Sequence, residues 1–295
     1  MTMRFDAGEI ITAMITPMDK DRKVDYKALE KLVEHLIQTG SDAILVAGTT
    51  GESPTLTHEE EYEIFKFVKS VAKGRCKLIM GAGSNCTETA VMATKNAKDA
   101  GADAILSVVP YYNKPSQKGL LEHFGTIAKS TDLPILLYNI PGRTGITMQP
   151  ETIAKLAKEH KNIFAVKQSL ADMEVITETV RLCPDDFVVY SGDDSLTLPM
   201  VSVGAYGVIS VASHIIGKEM KEMLSLFKSG KTQEATKMHL QLFPLFKKIF
   251  MAPNPVPVKE CLTKMGLINN YVRRPLVELD EAERKELYSV LEQYI

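Results

Sequence analysis

The sequence predicts an α/β fold, a (β/α)8 (TIM) barrel with a C-terminal helical appendage, and three observations carry that prediction. Short apolar runs recur eight times with a regular beat, helical patterns fill the gaps, and after residue 212 only helical patterns remain. Strands that alternate with helices favour a parallel sheet, and eight such units favour a closed barrel.

The runs are "IITAMITP" (10–17), "DAILVAGT" (42–49), "KLIMGAG" (77–83), "DAILSVVP" (103–110), "PILLYNIP" (134–141), "IFAVKQ" (163–168), "FVVYSGD" (187–193) and "YGVISVA" (206–212). They lack the apolar–polar alternation of a strand with one wet face, so they read as strands buried on both sides. A doubly wound open sheet is the structural rival. It would usually carry a glycine-rich phosphate loop after its first strand, whereas "ITPMDKDRKVD" has no glycine.

Between the runs, "YKALEKLVEHLIQTG" sets Leu29, Leu32, Val33, Leu36 and Ile37 on one stripe and ends at Gly40. "THEEEYEIFKFVKSVAKG" opens on Thr57 as N-cap, with Glu60 three residues on as in a capping box. "TETAVMATKNAKDAG" stops at Gly101. Four helical patterns close the chain, so residues 1–215 are expected to form the barrel and 216–295 a C-terminal helical region joined without a linker.

Of the 295 residues, 45% are hydrophobic and 24% charged, with a formal net charge of -2, an ordinary globular profile. That charge gives no electrostatic footprint for nucleic acid or an anionic membrane. No apolar stretch approaches the ~20 residues of a membrane span, and the start lacks the pattern of a secretory signal. Cys76, Cys86, Cys183 and Cys261 are scattered, with no CxxC pair and no histidine at ligand spacing. They read as reduced thiols in a cytoplasmic protein without a metal site.

"IFAVKQ" poses the chemical question, because an ammonium group follows a run that reads as a buried strand. Lys167 either lies just past the strand and reaches water along its own stem, or is a catalytic amine. In a (β/α)8 barrel the reactive groups gather at the C-terminal ends of the strands. Thr16, "GTTGESPTL" (48–56), "PYYNKPSQ" (110–117), "YNIPGRTG" (138–145), Lys167, "SGDD" (191–194) and Ile209 all fall at such ends.

Each has a use. A lysine can condense with a ketone to a Schiff base whose protonated nitrogen is an electron sink for the neighbouring carbon. Thr49 and Thr50, between Gly48 and Gly51, suit a carboxylate with hydroxyls and backbone N–H groups. The phenol of Tyr138 can shuttle protons, and the planar fork of Arg143 can hold a second carboxylate. A keto-acid aldolase needs this set, and the set implies neither a metal nor an organic cofactor.

On these motifs, together with "PYYNKPSQKGL", "YSGDD", "GVISV" and "NPVPVK", the chain resembles the dihydrodipicolinate synthase and N-acetylneuraminate lyase family along nearly its full length. The resemblance implies that Lys167 forms the Schiff base with pyruvate. It implies that Tyr138, Thr50 and Tyr112 form a proton relay, Tyr112 reaching in from a neighbouring subunit. Thr49, Thr50, Gly192 and the Ile209 backbone would hold pyruvate, and Arg143 the carboxylate of L-aspartate-4-semialdehyde. Arg143 also separates the synthase branch from the sugar-acid lyases. The implied reaction is condensation to 4-hydroxy-tetrahydrodipicolinate in lysine and diaminopimelate biosynthesis, by a homotetramer built as a dimer of dimers.

The rivals are a lyase that releases pyruvate from a sugar acid, which Arg143 argues against, and a catalytically silent keto-acid sensor, which would not need the relay. The chain departs from the family after the lysine, where "QSLADM" replaces the more common glutamate and small residues. The resemblance also implies a feedback site for lysine, matched here by Ser53, Pro54, His58, Glu61, Asn85 and Tyr111. The acid expected four residues after Asn85 is Thr89, with Glu88 the nearest carboxylate.

Overall fold

The computed structural model describes residues 3–295. Among them are eight strands, β1 (Ile10–Ala13), β2 (Ala43–Val46), β3 (Lys77–Gly81), β4 (Ala104–Val108), β5 (Ile135–Asn139), β6 (Ile163–Gln168), β7 (Val188–Ser191) and β8 (Gly207–Ser210). They run in sequence order around a closed barrel. Each falls inside one of the eight apolar runs. After β1 the run outlasts the strand because Met14 and Ile15 lie beyond it yet stay buried.

The helices between strands are α1 (Tyr26–Gln38), α2 (His58–Ala72), α3 (Thr87–Ala100), α4 (Gln117–Lys129), the single turn α5 (Pro141–Thr144), α6 (Pro150–Glu159), α7 (Met173–Leu182) and α8 (Thr197–Ser202). After β8 come α9 (Ser213–Lys228), α10 (Thr232–Lys248), α11 (Val256–Lys264) and α12 (Glu281–Leu291). The stop and start signals act as expected. Thr57 accepts from the Glu60 N–H while Glu60 reaches back to the Thr57 N–H, and Gly101 ends α3 at φ 80°. On α1 the buried stripe is Ala28, Leu29, Leu32, Val33 and Leu36, and Ile37 lies half-buried at its edge.

The chain gathers into two compact units. One joins the segment ending at Glu9 to Leu78–Ile209 and so carries β3 to β8. Its core holds Phe124, Phe164 and Tyr190, with Phe5 packed edge-on against Phe164 at 5.1 Å. Arg4 ties the N-terminal segment down by donating to the carbonyls of Ala157 (2.8 Å) and Ile163 (2.7 Å) and pairing with Asp186.

The other unit comprises Ile10–Lys77 and Ser210–Ile295, with β1, β2, α1, α2 and α9 to α12. Three of its buried hydroxyls form one chain. The Thr12 hydroxyl lies 2.6 Å from Ser41 Oγ and 2.8 Å from Ser213 Oγ, as burial of hydroxyls requires.

Candidate active site

Lys167 is not a strand-end lysine that escapes to water. It sits inside β6 and is only 6% exposed. The parallel register sets Tyr138 of β5 directly beside it, and Tyr190 of β7 on its other side. Tyr138 is buried too, and the Lys167 Nζ lies 4.4 Å from the centre of its ring. A cation over an aromatic face is attracted by the ring's quadrupole. Among the described residues no carboxylate pairs with Lys167, so its amine is not locked into a salt bridge.

Gly192 explains itself here. A Cβ on it would stand 1.9 Å from the Ser169 Oγ and 2.9 Å from the Lys167 Cε, so only glycine leaves room for the lysine stem. Its N–H donates to the Gln168 carbonyl at 2.8 Å, which fixes the β7 end against the β6 end. Ile209 is buried in β8.

The atypical Gln168 is also accounted for. Fully buried, it accepts from Asn139 Nδ2 at 2.9 Å and donates to Thr179 Oγ1 at 3.2 Å. Asn139 in turn clamps Met148 through both its amide ends. A neutral amide with donor and acceptor both used satisfies this pocket without burying a charge.

Arg143 sits on α5, exposed, after the β5 end that carries Tyr138. No hydrogen bond or ion pair among the described residues occupies its side chain, so the guanidinium fork is free to take an anion. Tyr112 stands in the loop after β4, 90% exposed and at φ 72°. A bulky residue in left-handed backbone is uncommon, and here it turns a large phenol outward. Asn85, in the loop after β3, donates from Nδ2 to the Tyr111 carbonyl at 3.2 Å, and Asn113 Nδ2 returns to the Asn85 carbonyl at 2.8 Å.

In the second unit, Thr49–Gly51 form one 3-10 turn after β2, with Thr50 buried and Thr49 half-buried. The Thr16 hydroxyl donates to the Gly51 carbonyl at 2.7 Å, and a Cβ on Gly51 would press to 3.2 Å from the Met14 carbonyl. Asn254, just before α11, donates from Nδ2 to Thr50 Oγ1 at 2.9 Å. The motif "NPVPVK" was legible in the sequence, but nothing in its spelling gives Asn254 this partner.

Ser53 and Pro54 lie in the next 3-10 turn, and His58 and Glu61 on the first turn of α2. Glu60 serves the cap and pairs with Arg273, while Glu61 turns inward with its side chain 13% exposed. Burial holds the Glu61 carboxyl above its ordinary range, against the His58 contact at 3.1 Å. A carboxylate merely capping a solvated helix start would not be so enclosed.

The family model for the dihydrodipicolinate synthetase family matches residues 6–294. A 4-hydroxy-tetrahydrodipicolinate synthase from Desulforamulus reducens is 49% identical over 97% of this chain and 95% of its own. A dihydrodipicolinate synthase from Bacillus anthracis superposes with a TM-score of 0.95 at 48% identity, over 97% of this chain and 98% of that one. The same enzyme from Cyanidioschyzon merolae, solved with lysine bound, gives 0.95 at 46% identity over 97% of each chain. The chain belongs to the dihydrodipicolinate synthetase family. Among its described residues no helix is long and apolar enough to cross a membrane.

Proposed function

We propose that this protein condenses pyruvate with L-aspartate-4-semialdehyde to 4-hydroxy-tetrahydrodipicolinate, the activity in its relatives' names, and so serves lysine and diaminopimelate biosynthesis. The observation that carries the reading is the buried, unpaired amine of Lys167 beside the Tyr138 ring.

The Lys167 amine adds to the pyruvate ketone, and loss of water gives an iminium ion. Loss of a methyl proton then gives the enamine, with the nitrogen as electron sink. The enamine carbon attacks the aldehyde, forming the new C–C bond and a hydroxyl group. The amino group of the semialdehyde then attacks the iminium carbon, closes the ring and releases Lys167 free. One water leaves per turnover. Tyr138, Thr50 and Tyr112 move the protons, Thr49, Thr50, Gly192 and Ile209 hold pyruvate, and Arg143 binds the second carboxylate.

The exposed phenol of Tyr112 supports an assembly in which it completes a neighbour's relay across a two-fold interface, within a homotetramer. Lysine is the expected feedback ligand. The lysine-bound relative and the enclosed Glu61 carboxylate support that, with Ser53, Pro54, His58, Asn85 and Tyr111 as the other family positions.

The test is consumption of both substrates together. Pyruvate lost only when L-aspartate-4-semialdehyde is present supports the synthase. Pyruvate released from a sugar acid instead would assign the chain to the lyase branch.

A further inference from the structure

The segment "NPVPVK" (254–259) carries no role in the reaction as set out above, yet its two polar side chains converge on one turn. Lys259 is fully buried, and its ammonium pairs with the Glu52 carboxylate, itself 1% exposed. The other Glu52 oxygen accepts the Arg273 N–H at 2.8 Å, and Lys259 also donates to the Tyr271 carbonyl at 2.8 Å. Glu52 directly follows Thr49–Gly51 and adopts left-handed backbone at φ 60° and ψ 31°. A non-glycine residue holds that conformation only where its surroundings impose it.

A buried ion pair is weak evidence for stability, since desolvation offsets most of the attraction, and its better-attested use is to fix a register. Here the register fixed is that of the turn bearing Thr50. Asn254 acts on the hydroxyl itself. Its Nδ2 donates to Thr50 Oγ1, filling one lone pair and leaving the hydroxyl proton uncommitted to Asn254. The Oδ1 of the same amide is buried without a hydrogen-bond partner among the described residues, an unsatisfied acceptor of the kind functional sites retain.

We propose that Asn254 is a positioning residue that sets Thr50 as a proton donor, on a turn locked by the Lys259–Glu52 pair. This rests on the relay assigned to Thr50 in the proposed function. With the amide reversed, Oδ1 would take the Thr50 proton and remove it from the relay. The variant Asn254→Asp builds that reversed state at nearly the same size.

The experiment compares kcat and pyruvate trapping on Lys167 in the parent, Thr50→Val, Asn254→Ala, their double variant and Asn254→Asp. Asn254→Ala is expected to lower kcat about tenfold or more, as loss of an oriented proton-transfer group does, with Lys167 still trapped by pyruvate. The double variant should lose no more than Thr50→Val alone, because the two residues act as one unit. Losses that multiply would overturn the assignment.

Asn254→Asp keeps the test decisive should the alanine variant not fold. Its kcat relative to the parent should rise as pH falls, since the protonated acid can donate to Thr50 again. A ratio flat across pH would overturn the proposal. No trapping in the parent would overturn the proposed function itself, whereas trapping with multiplying losses would overturn only Asn254's part in it.

Discussion

Lys167 on β6 and Tyr138 on β5 are register partners, and the lysine nitrogen sits 4.4 Å from the tyrosine ring centre. Parallel pairing makes this relationship rigid, because neither residue can shift without moving its strand. The group proposed to form the covalent bond and the group proposed to move its protons thus share one piece of sheet, the arrangement catalytic precision favours.

Arg143→Ala should raise the KM for L-aspartate-4-semialdehyde far more than that for pyruvate. Losing a charged hydrogen bond costs about 1.5–3 kcal/mol, or about 10–150-fold. Steady-state kinetics with each substrate varied in turn checks this. Equal losses for both substrates would make Arg143 a scaffold residue and remove the basis for the synthase branch.

Tyr112→Phe keeps the ring that the loop presents and removes only its hydroxyl. Turnover should fall about tenfold or more while the melting temperature and assembly state hold. Sedimentation beside an activity assay reads both. A monomer with full activity would contradict a shared relay.

Lysine should inhibit initial rates, and Glu61→Ala should abolish that inhibition. The enclosed carboxylate of Glu61 offers a charge-assisted contact to an ammonium group, worth about 1.5–3 kcal/mol. Because Thr89 stands where a second acid is expected, the affinity should be modest. No inhibition at millimolar lysine would contradict the assignment.

Stability should fall as pH drops from about 6.5 to about 4. His214 is fully buried and neutral, its Nε2 accepting the Ile15 N–H at 3.2 Å and its Nδ1 bonded to the Val211 carbonyl. Burial pushes its pKa down from 6.5 to about 4, and His123 falls likewise to about 4. In that window the unfolded chain takes up protons that the folded chain refuses, at a cost on the order of 1–3 kcal/mol per histidine. Urea midpoints between pH 7 and 4.5 should fall, and His214→Gln should flatten the slope. An unchanged slope in that variant would contradict this account.

All eight strands were legible because strands buried on both faces leave unbroken apolar runs, and the caps at Thr57 and Gly101 because their chemistry is local. The position of Lys167 was legible, but its burial was not, since a lysine after an apolar run reads equally well as a solvated strand end. The partners of Gln168 and Asn254 were hidden for another reason. Their contacts reach Asn139, Thr179 and Thr50, and sequence spacing carries no signal for a hydrogen bond between distant segments. Glu60 and Glu61 are neighbours in one acidic run: the spacing to Thr57 marks Glu60 as the capping carboxylate, but only the packing of α2 shows that Glu61 is enclosed.

Schiff-base formation at Lys167 is read out by borohydride reduction in the presence of pyruvate, followed by peptide mass analysis. One modified lysine, Lys167, is expected, with neither labelling nor turnover in Lys167→Ala. Modification at a different lysine, or full activity in Lys167→Ala, would contradict the Schiff-base assignment.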